Sequence, residues 1–480
     1  MNLVTVLSTV AVISWAACSF DSAGLGVDMP ESRDGASAVD GGPADAVPAI
    51  DRGLTDGEIV IITDAKLDGK IGDQLTPGDG VAGDAPADQG GADLGPCGTT
   101  HCPLGCNLSA ARCNRLRPST FDPAPLYPFG GLGQLALSGS VQINTTDGSI
   151  IANGNVVRAA NKHNQVAAGV LFSTAAQSGS NIELAIFFAD SINIAQNATV
   201  TATGQRALVL YAKQQLTVEQ GAELTAAPGQ AGGFAGGKVA ANAANCGGGD
   251  GEKGNGSSSA DSGGGGGGHG AAGGTGGAGN SGGNHAPGGN GGTATNSPTL
   301  IPLAGGCGGG GGSGAPGGGG GAAIQLIAGA IINILGTLTA PGDGGKGGTV
   351  RESGGGGGAG GAILIEAPVV ITTSAAIIAA NGGGGGSGAT DGAGAIGQDG
   401  SPGQPGAGAA AGGTSAGNDS GRGGNGGAKQ QPQGQTGDAA KNGGGGGGAV
   451  GRIRINAQSP QISGSTVLSP LETRGALGTW

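Results

Sequence analysis

Residues 441–457 read KNGGGGGGAVGRIRINA, so six consecutive glycines run directly into a segment in which apolar and polar residues alternate. Alternation with a period of two predicts a β-strand with one buried face. The same junction is found at 317–328 (GGGGGAAIQLIA) and at 354–367 (GGGGGAGGAILIEA). A junction that recurs along the chain indicates a repeat architecture.

The repeat is clearest where residues 182–204 align with residues 206–229 at an offset of 24 (206 − 182). Each copy contains three short apolar segments, and the alignment places Leu184 opposite Leu208. Three short strands in a unit of roughly 20–24 residues are typical of one coil of a parallel β-helix, in which stacked coils bury a shared apolar face. Such coils are predicted at 135–154, 182–204, 206–229, 322–342, 361–382 and 449–470. We therefore expect an all-β solenoid of about six coils.

Three glycine-rich tracts, at 229–321, 343–360 and 383–448, interrupt the repeats at the same corner of the coil. Insertions in repeat proteins commonly map to one face, so we expect the tracts to lie stacked along one edge. Their composition permits disorder, but it also permits extended threefold helices that pack closely because no side chain intervenes. In composition alone, the tracts resemble the Gly-Gly-x tracts of PE-PGRS proteins and of glycine-rich phage tail adhesins.

Composition and charge separate the N-terminal part of the chain from the rest. The 480 residues include 116 glycines without a Gly-X-Y period, which excludes a collagen triple helix, while 36% hydrophobic residues suffice for one core. Residues 19–96 contain 16 acidic and four basic residues, so their charge of −12 (4 − 16) equals the net charge of the chain. This segment is predicted to be a disordered, self-repelling linker. Since no basic patch is present, no nucleic-acid partner is expected.

The first 18 residues are MNLVTVLSTVAVISWAAC, in which about fifteen mostly apolar residues end in small ones before Cys18. This stretch is too short to span a bilayer as a stable helix. The stretch resembles a bacterial lipoprotein signal peptide, with Ala16-Ala17-Cys18 as the end of the lipobox. The resemblance implies cleavage before Cys18, acylation of Cys18 and a membrane anchor, and Ser19 implies the outer membrane. An ordinary secretory signal that is cleaved nearby is the alternative.

An exported chain can form disulfides, and six cysteines remain after Cys18. Four of them lie in the segment CGTTHCPLGCNLSAARC, as Cys97, Cys102, Cys106 and Cys113. Their spacing lacks paired C-x2-C motifs, so two disulfides in a small module (97–118) are favoured over a zinc site, and three connectivities stay open. The segment resembles the small Cys-Pro-x-Gly-Cys modules that precede the main domain of some bacterial surface lipoproteins. Cys246 and Cys307, both in the first glycine tract, are predicted to pair.

No combination of residues predicts catalysis or a bound metal. The columns of the predicted coils never place two acids together, as acid–base chemistry on a polysaccharide would need; Glu366 falls in the column of Phe187 and Tyr211. The segment AGNDSGRGGNGG (416–427) resembles a fragment of the calcium-binding nonapeptide repeat but lacks its apolar residue and its tandem copies. The sequence therefore predicts no catalytic residue, no cofactor and no metal site.

Two aromatic residues are candidates for a ligand face. Phe187 and Tyr211 share a column on neighbouring predicted coils, where they could stack on a sugar ring. Phe188 would then face the interior of the coil. Packing at the edge of the coils explains the pair equally well.

Together these features predict an exported cell-surface lipoprotein with a non-enzymatic adhesive or structural role. The working surface would be the glycine-rich edge of a β-solenoid that spans residues 119–480. The expected partners are the membrane, through the anchor at Cys18, and a polysaccharide or another cell surface. One alternative is an extracellular polysaccharide lyase or hydrolase of the β-helix type, and another is a passive coat or spacer protein.

Overall fold

The structure is a computed structural model. It describes residues 102–480 except 108, 110–111, 239, 244–245, 247–250, 257–259, 296 and 393–394. The predicted signal peptide (1–18) with its lipidation site Cys18, the predicted linker (19–96) and Cys97 lie outside the described residues. Among the described residues, no helix has the length and hydropathy that crossing a membrane requires.

The fold is all-β and is built on two sheets whose strands are mainly parallel. The first sheet contains β4 (Gln134–Leu137), β8 (Gln165–Ala167), β9 (Val170–Ala175), β10 (Leu184–Ile194), β12 (Ala207–Val218), β16 (Ala323–Ala328), β17 (Ile331–Ile334), β19 (Ala362–Thr372), β21 (Arg452–Gln461) and β23 (Thr473–Gly475). The second sheet contains β5 (Ser140–Asn144), β6 (Ile150–Ala152), β7 (Asn155–Arg158), β11 (Thr199–Thr203), β13 (Glu223–Ala226), β18 (Thr337–Thr339), β20 (Ile377–Ala379) and β22 (Val467–Ser469). Short pairs are formed by β1 (Cys106–Asn107) with β2 (Arg112–Cys113), β3 (Leu116–Arg117) with β24 (Gly478–Thr479), and β14 (Gly279–Ser281) with β15 (Asn284–Ala286), and a 3-10 helix lies at Ala124–Leu126.

The chain passes repeatedly between the two sheets, and an apolar core lies between them. In the first sheet β10, β12, β16, β19 and β21 pair in parallel in this order, and in the second sheet β5, β11, β13, β18, β20 and β22 do the same. Residues at equivalent positions therefore stack in columns. One column consists of Val141, Val200, Leu224, Leu338, Ile378 and Leu468. Each of these side chains is at most 6% exposed, and the burial of each contributes roughly 1.5–3 kcal/mol.

One irregularity changes the predicted alignment of the repeats. From Ser191 onward the offset between β10 and β12 is 24 (215 − 191), as predicted. Before that point the offset is 23 (207 − 184), because β12 contains one extra residue at a bulge. Leu184 therefore pairs with Ala207, and the predicted pairing with Leu208 is wrong. Since successive side chains of a strand point to opposite faces, this single residue also decides which side chains enter the core.

The N-terminal end of the sheets also differs from the predicted first coil. Residues 150–154 (IIANG) belong to a hairpin, because β6 pairs antiparallel with β5, and β7, β8 and β9 add further antiparallel pairs. The fully buried guanidinium of Arg158 donates to the carbonyl oxygens of Gly148, Ala159, Lys162, Gln165 and Val170. Terminal units of repeat proteins commonly cap the core, and the antiparallel strands cover this end of it.

The segment 102–132 covers the outer face of the first sheet. Its residues Leu116 and Leu126 pack in a second apolar cluster with Tyr211 and other side chains of that face. The last strand, β24, pairs with β3 of the covering segment, and Trp480 Nε1 donates to the carbonyl oxygen of Leu116 at 3.2 Å. The covering segment is thereby held between the sheet and the C-terminal residues.

The cysteines of the covering segment are cross-linked. Cys102 is bonded to Cys113, with a Cα–Cα distance of 5.2 Å. Cys106 is disulfide-bonded as well. The predicted disulfides of this module are therefore confirmed for its three described cysteines, and the spacing alone could not choose their connectivity.

Candidate functional site on the glycine slab

The three glycine-rich tracts form an ordered array, named the glycine slab below. It consists of the described residues within 229–321, 342–361 and 381–451. Backbone amides of one extended segment bond to carbonyl oxygens of the segments beside it. Along 442–451, Gly443, Gly446 and Ala449 donate to one neighbour, 261–267. Bonding to the same neighbour at every third residue is the period of the polyproline II helix, so the tracts are threefold helices.

Segment 442–451 is surrounded on all sides. The N–H groups from 443 to 451 donate to three neighbours, and the carbonyl oxygens accept from three others. The accepting neighbours are 261–267, 380–386 and 432–438, and the donating neighbours are 270–277, 354–360 and 421–427. A complete set of partners satisfies the backbone of this segment although no water reaches it.

The six glycines in this segment are required by their surroundings. A Cβ atom at Gly445 would overlap with the carbonyl oxygen of Gly355, and one at Gly447 would overlap with that of Asn425. As at the axis of collagen, only glycine fits between helices that are packed so closely. The glycine run is therefore the centre of the slab, and it leads without a break into β21.

Interior and rim of the slab differ in sequence in a regular way. Three further segments have six bonded neighbours: 262–268, 354–361 and 381–388. These interior segments consist almost entirely of glycine. At the rim, PGGNGGT (287–293) places Pro287, Asn290 and Thr293 at intervals of three, and all three are exposed. In a threefold helix every third residue faces the same way, so Gly-Gly-x marks a helix with one face toward solvent.

Side-chain contacts also fasten the slab, among them a disulfide and the hydrogen bond of a buried histidine. Cys246 and Cys307 form the predicted disulfide, with Cα atoms 5.8 Å apart. His269 is 3% exposed, and its Nδ1 donates to the carbonyl oxygen of Gly360 at 2.9 Å. Burial lowers the pKa of His269 to about 4, so its ring is neutral at neutral pH.

One outer face of the slab contains an open groove. Segments 411–415, 422–425 and 435–438 line it, and its volume is about 590 Å³. Arg422 and Asp438 are exposed at the groove, while much of the floor is glycine backbone. The amides of these glycines are bonded within the slab, so the groups that can bind a polar ligand are the exposed side chains that the rigid floor holds in place. This groove is therefore the candidate binding site.

The predicted aromatic ligand face is wrong, because both rings are buried. Phe187 and Tyr211 are each 0% exposed. The bulge separates them: Phe187 lies in the core between the sheets, whereas Tyr211 pairs with Phe188 on the outer face of the first sheet. There the hydroxyl oxygens of Tyr211 and Tyr127 lie 2.6 Å apart beneath the covering segment. Neither ring is accessible to a ligand.

Glu366 lies in the column of Tyr211, as predicted, and is 1% exposed. Its carboxylate accepts hydrogen bonds from Gln325 Nε2 at 2.6 Å, from Asn456 Nδ2 at 2.9 Å and from the backbone N–H of Ser119 at 3.3 Å. These bonds tie the covering segment to the first sheet, and the described partners of Glu366 are amide groups. In the part of the chain that the structure describes, no group of three His, Cys, Asp or Glu residues is placed to hold a metal.

Comparisons with protein-family models, with curated proteins and with solved structures give no match. The groove was not predicted from the sequence, although a signal for it is present. In RGGNGG (422–427) a polar residue recurs at every third position, which marks a rim helix. The resemblance of 416–427 to a calcium-binding repeat concerns metal ligands and does not predict this outward spacing.

Proposed function

We propose that the protein is an exported cell-surface protein with a non-enzymatic adhesive or structural role, and that the outer faces of the glycine slab are its working surface. The observation that supports this most strongly is the construction of the slab. Its interior is almost entirely glycine backbone, and its rim presents side chains at every third residue on helices that are already fixed. A surface that is ordered before it binds loses little conformational entropy on binding.

The two sheets are interpreted, within this proposal, as two walls of a parallel β-helix. The chain moves from the first sheet to the second in the steps β10 to β11, β12 to β13, β17 to β18, β19 to β20 and β21 to β22. Each glycine tract follows a strand of the second sheet and precedes a strand of the first. This arrangement supports tracts that leave the coil at one corner.

Export and membrane anchoring complete the proposal. Acylation at Cys18 would attach the protein to the outer membrane, with residues 19–96 as a tether. The disulfides in the covering segment and in the slab support folding in an oxidising compartment.

The enzyme alternative has less support. Hydrolysis of a glycosidic bond usually needs two carboxyl groups on either side of the bond. Glu366 is buried, and its described partners are amides. A glycan therefore has no access to it.

The proposal is tested by co-sedimentation of the full-length protein with whole bacterial cells and with insoluble polysaccharides. We expect retention on cells or on at least one polysaccharide, without release of soluble sugar. Release of soluble oligosaccharides would support the lyase or hydrolase. If nothing retains the protein, the adhesive role is refuted and the passive coat or spacer is the better description.

A further inference from the structure

We propose that the groove over segments 411–415, 422–425 and 435–438 binds a single chain of a linear, uncharged polysaccharide. The inference rests on the proposed function, because it names the ligand class of the adhesive surface. Both the shape of the groove and the chemistry of its lining support it.

The floor of the groove is rigid. The amide of Gly423 donates to the carbonyl oxygen of Gly413 at 2.9 Å, and the amide of Asp438 donates to that of Arg422 at 2.9 Å. These bonds join the three lining segments side by side, and the central segment of the slab supports two of them from below through further amide bonds. Outward side chains are therefore held at fixed positions on both sides of an open channel.

Several polar groups of the lining are free to bind a ligand. Within the described residues, the side chains of Arg422, Thr436 and Asp438 make no hydrogen bond or ion pair. The guanidinium offers five N–H donors, the carboxylate accepts, and the hydroxyl does both. By contrast, Asn425 is engaged, since its Oδ1 accepts from the amide of Gly412 at 2.9 Å and fixes the floor.

The charges of the lining favour an uncharged ligand that is rich in hydroxyl groups. Arg422 and Asp438 are the charged residues of the lining and have opposite signs, so the groove has no net charge that would attract a polyanion or a polycation. Neighbouring hydroxyls of a sugar both donate and accept, and they can therefore pair with both charged groups. Because the lining contains no aromatic ring and no apolar side chain larger than alanine, it does not favour an apolar ligand.

The spacing of the outward residues favours a polymer. Arg422 and Asn425 are three residues apart on one helix, as are Gln435 and Asp438 on the next. Arg422 and Asp438 are exposed, whereas the half-buried amides of Asn425 and Gln435 each already make one hydrogen bond, Asn425 through Oδ1 and Gln435 through Nε2. At roughly 3.1 Å per residue, the outward positions recur about every 9 Å along each helix. A ligand that itself repeats can use equivalent positions in several rows at once, whereas a single sugar would use only part of the groove.

The experiment measures depletion of the full-length protein by particulate cellulose, chitin and mannan, with an alginate gel as the charged comparison. We expect retention on at least one uncharged polymer, no retention on alginate, and little loss of binding when salt is added. The variants Arg422→Ala and Asp438→Ala should each weaken the association about tenfold, the effect of losing one hydrogen bond to a charged group. Lys253→Ala removes an exposed cation from a distant segment, and it should bind like the unchanged protein.

The outcomes separate this inference from the proposed function. Equal retention of all variants would refute the groove as the binding site but would leave the proposed adhesive function in place. Retention on cells or alginate, with none on the uncharged polymers, would overturn the ligand class. Retention on nothing would overturn both. Equal melting temperatures of the variants confirm that the slab is intact, which is expected because the side chains of Arg422 and Asp438 make no hydrogen bond or ion pair within the described residues.

Discussion

The sheets and the glycine slab exclude water from the same chain by opposite means. Between the sheets, columns of branched side chains fill the core and leave it buried. In the slab there is almost nothing to fill, because the backbones themselves are in contact and each interior helix bonds to six others. Side-chain packing can relax around a smaller residue, whereas backbone packing cannot yield to a larger one. The glycine slab is therefore less tolerant of substitutions than the sheets.

The largest effect is expected for Gly447→Ala. Its Cβ would overlap with the carbonyl oxygen of Asn425 on a helix that is itself fixed by neighbours. We expect the free energy of unfolding to fall by more than about 4 kcal/mol, beyond ordinary overpacking, because backbone and not a flexible side chain must move. Denaturant unfolding followed by circular dichroism measures the loss. A fall below about 1 kcal/mol would show that the slab is far softer than described.

The matched change in the sheets is Leu224→Ala. Leu224 is fully buried in its column, so its truncation should cost roughly 3 kcal/mol, as is typical of leucine in a core that relaxes only in part. The same unfolding experiment applies, and Leu224→Met, which nearly keeps the volume, is the control with an expected loss under about 1.5 kcal/mol. If Leu224→Ala cost more than Gly447→Ala, the comparison between the regions would be reversed.

Lowering the pH should destabilise the slab before it destabilises the sheets. The buried ring of His269 has a pKa of about 4, below the unfolded value of 6.5. The unfolded chain therefore binds the proton more readily, and stability falls as the pH drops from 6.5 toward 4, by about 2 kcal/mol at pH 5. Unfolding of the protein and of His269→Gln at pH 7.5 and pH 5 measures the effect. The variant should lose most of this pH dependence, while His285→Gln, at an exposed site, should keep it.

The smallest expected effect is an increase in the free energy of unfolding, whereas the substitutions above lower it. Gly408 lies at the rim, where a Cβ would meet no atom within 4 Å. Gly408→Ala should leave the slab unchanged and raise the free energy of unfolding by about 0.5 kcal/mol, because alanine restricts the unfolded chain. Thermal melting beside Gly447→Ala gives the contrast directly. Similar destabilisation by both variants would mean that rim and interior glycines are not distinguished by their surroundings.

The sequence predicts the parallel strands well, because their period-two pattern is local. Its alignment fails at the bulge, where one extra residue in β12 leaves no mark in composition. That failure also explains the error on the aromatics, since a one-residue shift decides whether Phe187 or Phe188 joins Tyr211 on the outer face. The covering segment contacts Tyr211 through Tyr127, which lies 84 residues earlier in the chain (211 − 127). No local sequence pattern predicts this contact.

For the slab, the sequence permits two interpretations and contains the information that separates them. Uninterrupted glycine occurs where six neighbours surround a helix, and Gly-Gly-x occurs where one face is open. The groove itself depends on which helices become neighbours. Arg422 and Asp438 lie on adjacent segments that are joined by two backbone bonds, from the amide of Asp438 to Arg422 and from the amide of Gln435 to Asn425, and the composition of the segments does not specify these bonds.

The central position of segment 442–451 constrains how the protein can fold. Its amides bond to helices far back in the chain, such as Gly446 to Gly264 across 182 residues (446 − 264). Until this segment is present, the earlier tracts lack the central helix to which they bond. Contacts of such long range make folding slow. Under the proposed export, a chain that threads outward in order would therefore cross the membrane as an open polymer and assemble the slab only once residues 442–451 arrive.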